Sequence, residues 1–295
     1  MSSQITFSDE QTMLLDTATE FCRKHSPIET VRARLDADQI DATTWKEITD
    51  LGWLGINVPE EFGGLGLGLS CVVPVAESMG RYLMGTPYNG AITASECLAT
   101  SGSREQKEEW LPKIVSGAIG AMALIETNGS WILDQIEAQA IASEDMFELS
   151  GTKCFVTDAD AADFYIVSVN VEAKARLALV KREQIPEGNL HREIVIDETR
   201  RSYQLDLDGI MVPVDQLLEG SDFQAIEFAS LLLLSAEITG GLVGSIHTIV
   251  EYLNTRRAFD KVIGSYQALK HPTVKILLDL EASRSHLYHA ATVLA

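Results

Sequence analysis

Three patterns in the sequence are of the kind that can carry chemistry, and each depends on its setting. Residues 63–68 read Gly-Gly-Leu-Gly-Leu-Gly. Such a run can wrap a phosphate in backbone N–H groups when it leaves a β-strand and enters a helix bearing a Lys-Ser/Thr pair. Neither flank is present here, so the run is expected to be a structural turn between helices. His286 and His289 stand three apart on a helical stretch, without the carboxylate or thiol motif that would complete a metal site. Gly129-Ser130 lacks the second glycine and the strand-to-helix setting of a nucleophile elbow. Cys22, Cys71, Cys97 and Cys154 are scattered, form no CxxC pair, and are expected to be buried, reduced thiols.

The elements that would position any site follow from periodicity. Ser8 and Gln11 form an S-x-x-Q capping box ahead of Leu14, Leu15, Ala18, Phe21 and Cys22, which recur with helical spacing. A second helix is expected over Thr43–Asp50, ending at Gly52, and a third over Val72–Arg81. From residue 121 the character changes. β-favouring segments at Phe147–Ser150, Cys154–Thr157, Phe164–Val169, Leu177–Val180 and Ile194–Ile196 are separated by Gly, Asp and Asn. Between Phe223 and Thr255 there is no proline, and apolar residues are dense enough for one helix of ~50 Å. A last helix is expected after His271-Pro272, with Val274, Leu277, Leu278, Leu287, Ala291 and Leu294 as its apolar set.

The fold class is therefore α+β: an N-terminal helical domain (1–120), a middle antiparallel β domain (121–220) and a C-terminal helix bundle (221–295) that is incomplete. Two long helices cannot cover their own apolar faces, so either a partner subunit covers them or the polypeptide is a fragment. The 295 residues carry 43 acidic against 23 basic side chains, net charge −20, which disfavours nucleic acid and anionic lipid as partners. The opening MSSQITFSDEQ has no signal-peptide pattern, and the apolar run Leu231–Leu234 is too short to span a bilayer; a cytoplasmic, non-membrane protein is expected.

Taken in order, several segments resemble the acyl-CoA dehydrogenase family of flavoproteins. They are FSDEQ from Phe7, LGWLGINVPEEFGGLGL from Leu51, AESMGRYLMGTPY from Ala76 and SREQKEEWLPKIVSGAIGAMALIE from Ser103. The set continues with LSGTKCFVTDADAADFYIV from Leu149, IMVPVDQLLEG from Ile210 and TRRAFDKVIGSYQALKHP from Thr255. The resemblance implies FAD seated between the β domain and the bundle, α,β-dehydrogenation of an acyl-CoA thioester, and passage of electrons to an electron-transfer flavoprotein. It implies that Phe155 and Thr157 lie against the flavin, that Arg256 contacts the FAD pyrophosphate, and that Phe259 and Gln267 help to hold the cofactor. Ser130 is implied to approach the CoA portion.

The departures from the family pattern fall where the chemistry should be. The aromatic at Phe155 is usually Trp, and Asp260 replaces the Gly of the R-x-x-F-G motif. The T-E-P-x-x-G-S-D segment appears one residue shorter, as Ile125-Glu126-Thr127-Asn128-Gly129-Ser130-Trp131. Neither usual catalytic carboxylate is present: most members carry it beyond the reach of this chain, and the alternative position on the long helix is Ser230. Glu227 and Glu237 share the stripe through Ser230, and Glu227, ~4.5 Å away along the axis, is the better substitute. Two readings stay open: a FAD-dependent oxidoreductase subunit acting as a homo- or hetero-oligomer, and a non-catalytic partner subunit. A flavin oxidase or monooxygenase on the same scaffold is a third.

Overall fold

The computed structural model describes residues 7–35, 37 and 39–293; the first six residues of the N-terminal stretch and Leu294 lie outside them. Helix α1 (Asp9–His25) starts from the expected capping box: Ser8 Oγ accepts the Gln11 N–H at 3.2 Å and Gln11 Oε1 accepts the Ser8 N–H at 3.0 Å. After α2 (Ile28–Ala33), Asp41 caps α3 (Ala42–Asp50) by accepting the N–H groups of Thr43 and Thr44, and Gly52 at φ +73° ends it. The 63–68 run is a turn, as expected. A Cβ on Gly64 would stand 2.1 Å from the Val58 carbonyl oxygen, so only glycine lets the chain fold back there. Helices α4 (Leu69–Arg81), α5 (Tyr88–Ser101) and α6 (Arg104–Val115) follow.

Ten strands occupy the middle of the chain: β1 (Gly120–Ala123), β2 (Ile125–Glu126), β3 (Gln139–Ser143), β4 (Met146–Ser150), β5 (Thr152–Thr157), β6 (Phe164–Val171), β7 (Lys174–Lys181), β8 (Leu190–Glu193), β9 (Ser202–Asp206) and β10 (Met211–Pro213). They form a six-stranded sheet ordered β1-β6-β3-β4-β10, with β7 also on β6, and a four-stranded sheet ordered β2-β5-β9-β8. Pairing is antiparallel except that β1 and β3 run parallel to β6. The strand expected at Ile194–Ile196 is displaced to Leu190–Glu193. Its partner β9 begins at Ser202, opposite Glu193, so no ladder exists for residues 194–196, and Ile194 and Ile196 are fully exposed.

Helix α7 (Phe223–Thr255) has the expected bounds. The hairpin β11 (Arg257–Ala258) and β12 (Lys261–Val262) leads to α8 (Gln267–Val293). Pro272 lies inside α8 rather than before it, at the cost of one backbone hydrogen bond. The apolar set of α8 is also corrected: Leu287 and Ala291 are buried beside Leu280 and Tyr288, whereas Val274, Leu277 and Leu278 are exposed. Although Leu231–Leu234 is short, the whole of α7 is long and apolar enough, by length and composition, to cross a membrane. Its Ile226, Ala229, Leu232, Leu233, Ala236 and Ile246 are buried within the protein.

The compact units cut across chain order. One comprises residues 1–32, 69–84 and 231–295, and the other residues 33–68 and 85–230. In the first, α4 and α7 approach backbone to backbone: a Cβ on Gly240 would lie 1.8 Å from the Glu77 carbonyl oxygen, and one on Gly80 2.1 Å from that of Glu237. Beside this crossing the buried Glu77 side chain forms an ion pair with Arg284 Nε at 2.7 Å and accepts the Tyr288 hydroxyl at 2.5 Å. In the second unit Trp110, Leu111 and Ile114 of α6 pack with Phe164, Ile166, Leu177 and Leu179 of β6 and β7. All four cysteines are buried and unpaired, and burial pushes the Cys22 and Cys97 thiols up to about 12.

Candidate functional site

The site begins with a bulge. Between Lys153 and Val156, β5 spends one more residue than β9 does between Leu205 and Tyr203, so Phe155 leaves the ladder. Its φ of +55° is a left-handed value that bulky side chains seldom adopt, and its ring is 51% exposed. Across the bulge strict alternation is broken, and burial marks the outcome: Lys153, Cys154 and Val156 are buried, while Phe155 and Thr157 are exposed. Strain of this kind costs about 1–3 kcal/mol and is held only by surrounding structure.

Two buried ion pairs supply that support. Lys153, with no exposed surface, places Nζ 2.7 Å from Glu126 Oε1 on β2 and 2.9 Å from Ser168 Oγ. Glu126 also accepts the N–H groups of Glu137 and Ala138 at 2.7 and 2.9 Å. Burial works to raise the Glu126 carboxyl, but the bonds from Lys153 and these two amides outweigh it and hold the group below the usual carboxylate range. Immediately after Thr157, Asp158 turns left-handed at φ +54° and accepts Arg201 Nε at 2.8 Å, while Arg201 donates a second bond to the Gly85 carbonyl at 3.0 Å. Burial raises the Asp158 carboxyl against the pull of Arg201.

A second group forms at the end of α7. Phe259 and Asp260 are the two central residues of the hairpin turn, at φ +51° and +61°. That is the pattern of a type I′ turn, which ordinarily employs Asn and Gly. The Phe259 ring is 90% exposed. The neighbouring Arg256 and Gln267 are exposed too, and the Arg256 guanidinium has no ion pair or hydrogen bond among the described residues. The structure places Phe155 and Thr157 on β5 and, separately, Arg256 and Phe259 at one hairpin, with Gln267 opening the helix that follows it.

The remaining expected residues are more ordinary. Ser130 lies in a tight turn, donating its N–H to Asn128 Oδ1 at 2.9 Å and accepting the Ile132 N–H at 3.3 Å. Glu227 is exposed on the first turns of α7 and makes no ion pair or hydrogen bond among the described residues. Ser230 is half-buried.

The donor set fits the flavin nucleotide implied by the resemblance. In one unit the exposed Phe155 and a Thr157 hydroxyl without a partner among the described residues suit an isoalloxazine ring; in the other, an Arg256 guanidinium without a partner among the described residues suits a pyrophosphate. Sequence reasoning missed Lys153, Asp158 and Arg201, whose buried ion pairs stand on either side of Phe155 and Thr157, and also Glu193, whose Oε2 accepts the Phe155 N–H at 2.9 Å and the Ser202 hydroxyl at 2.7 Å. Lys153 alone left a signal, being a single cation in an otherwise β-favouring run, Thr152–Thr157. The others act on residues far away in the chain.

Comparison with known proteins agrees with this architecture. The family described as "Acyl-CoA dehydrogenase, N-terminal domain" matches residues 8–118, and "Acyl-CoA dehydrogenase, C-terminal domain" matches residues 232–295. The chain is 28% identical over 264 residues to acyl-CoA dehydrogenase FadE12 of Mycobacterium tuberculosis, covering 84% of this chain and 68% of FadE12. Among solved structures, it is similar to a chain of the ChsE4-ChsE5 complex from Mycobacterium tuberculosis (TM-score 0.88, 25% identity, covering 99% of this chain and 79% of that one). It is also similar to a chain of the Tcur3481-Tcur3483 steroid ACAD (TM-score 0.87, 27% identity, covering 97% and 78%).

Proposed function

Since the chain belongs to the acyl-CoA dehydrogenase family, we propose that it is a FAD-binding subunit for α,β-dehydrogenation of an acyl-CoA thioester, working beside a second, homologous chain. The observation that carries this reading is the end of β5, where Phe155 and Thr157 are both exposed and the Thr157 hydroxyl has no partner among the described residues. When bound, FAD supplies the acceptor for the two electrons that leave the substrate. Phe155 would offer the ring an apolar surface, and Thr157 a hydroxyl. Arg256 presents paired N–H donors to phosphate oxygens, and Phe259 and Gln267 flank it on the hairpin and the first residue of α8.

Removal of an α proton from a thioester needs a carboxylate in a water-poor setting, together with donors for the developing enolate oxygen. Glu227 is exposed to solvent, which weakens it for that task. The proposal of a second chain is supported by the apolar residues exposed on α7 and α8, among them Leu231, Leu234, Ile238, Val274 and Leu278. The ChsE4-ChsE5 neighbour, itself a complex of two named proteins, supports the same arrangement. Electron-transfer flavoprotein is the proposed electron acceptor, and the cytoplasm the proposed location.

The test is co-production with a homologous dehydrogenase chain, followed by anaerobic addition of acyl-CoA. A yellow complex whose flavin bleaches supports the reading; a complex that takes up no FAD defeats it. Glu227→Gln locates the base: unchanged bleaching assigns proton removal to the partner chain, and loss of bleaching assigns it to Glu227. A second reading, a non-catalytic partner subunit, is favoured by the exposure of Glu227 together with Ser230 at the alternative base position. It expects FAD uptake without bleaching in every pairing.

A further inference from the structure

We propose that Glu193 is a positioning residue of the flavin seat, its carboxylate tying the Phe155 bulge and the Ser202 hydroxyl to the row that carries Thr157. This inference rests on the FAD-binding reading above. The strand registers lead to it directly. β8 pairs Glu193 with Ser202, and β9 pairs Ser202 with Thr157, so the three residues form one row across three adjacent strands. Residues directly opposite in a ladder share a face, which places the Glu193 carboxylate, the Ser202 hydroxyl and the Thr157 hydroxyl on one face of the sheet, and the Phe155 N–H is tied to that row through Glu193.

Within that row, one oxygen does two tasks. Glu193 Oε2 accepts the Phe155 N–H at 2.9 Å and the Ser202 hydroxyl at 2.7 Å. The side chain therefore starts on β8, passes β9, and ends on β5. The bulge removes the Phe155 N–H from the ladder, and a backbone donor without a partner is costly. Glu193 supplies the missing acceptor, and supplies it as a charge, which strengthens the bond. The Thr157 hydroxyl has no partner among the described residues, the state in which it can serve a ligand. Nothing in the local sequence marks this role, since Glu193 and Phe155 are separated by 38 positions.

The experiment uses the full chain with its partner and compares wild type, Glu193→Gln and Glu193→Ala. FAD affinity is read by flavin fluorescence, the environment of the ring by the visible spectrum, and the midpoint potential by anaerobic titration. Glu193→Ala, which strands the Phe155 N–H, is expected to weaken FAD by about tenfold or more and to shift the visible bands. Glu193→Gln keeps an acceptor and is expected to stay within about threefold of wild type, while the midpoint potential rises because a negative charge has left the face.

Wild-type affinity and spectrum in Glu193→Ala overturn the proposal and leave the FAD reading intact. A wild-type complex that binds no FAD overturns both. Should Glu193→Ala not fold, Glu193→Gln decides alone: retained affinity with a raised potential supports the role, and an unmoved potential overturns it.

Discussion

Lys153 Nζ lies 2.7 Å from Glu126 Oε1, with the two side chains 0% and 6% exposed, so that a complete ion pair is sealed between β5 and β2 two residues before the Phe155 bulge. Buried pairs of this kind are weak as net stabilisers, because desolvation of both charges offsets their attraction. Their asymmetry gives them structural force: losing one partner leaves a charge stranded in the core.

Lys153→Ala is therefore expected to destabilise the protein by about 3–5 kcal/mol, read as a lower urea midpoint. Lys46→Ala serves as the control, because its pair with Asp50 is 73% and 59% exposed and is expected to change stability by less than about 1 kcal/mol. Equal effects of the two substitutions would show that the buried pair does not organise the sheet.

Acid should act through Glu126 and Asp41. Burial opposes ionisation of Asp41, but the Thr44 hydroxyl and amide, Arg34 and the Thr43 amide together hold its carboxyl below the usual range, as Lys153 and the two amides do for Glu126. A carboxylate lowered in the folded state contributes stability above its unfolded value and loses that contribution as pH falls through the folded one. The urea midpoint is expected to hold from neutrality to about pH 5 and to fall below about pH 4. Glu126→Gln should flatten part of that acid limb; an unchanged pH dependence in this variant would remove Glu126 from the account.

Gly240 and Gly241 are neighbours in α7 with opposite expectations. A Cβ on Gly240 would meet the Glu77 carbonyl oxygen at 1.8 Å, whereas one on Gly241 comes no nearer than 3.8 Å to the Gly80 carbonyl. Gly240→Ala is expected to force α4 and α7 apart and cost several kcal/mol, in the manner of severe overpacking. Gly241→Ala is expected to be neutral or to stabilise by up to about 1 kcal/mol through helix propensity. Thermal melts of the two variants check this, and similar melting temperatures would contradict the close helix crossing.

Asp260→Gly restores the residue that a left-handed hairpin position favours. At φ +61° the substitution is expected to stabilise the protein by about 1 kcal/mol. It also takes a negative charge from the turn that carries Arg256, so FAD affinity should rise in a fluorescence titration. A lower melting temperature would mean that the Asp260 side chain supports the hairpin in another way.

Much of the architecture was legible in the residues themselves, because it depends on neighbours in the chain. The Ser8–Gln11 box started α1, dense apolar residues uninterrupted by proline marked α7, and the glycines at 63–68 made a turn. Ordered motifs carried the resemblance to the acyl-CoA dehydrogenases and, through it, the expectation that Phe155, Thr157 and Arg256 contact the cofactor. Tertiary structure alone decided the rest. Whether Ile194–Ile196 is a strand depended on where β9 begins, and which apolar residues of α8 are covered depended on the helices packed against it. The row of Glu193, Ser202 and Thr157 exists only because strand registers place residues from distant segments on one face. Hydrogen-bond capping and helical periodicity act over a few residues and leave a local trace, whereas register, close helix contact and charge burial are settled by partners that arrive from elsewhere in the fold.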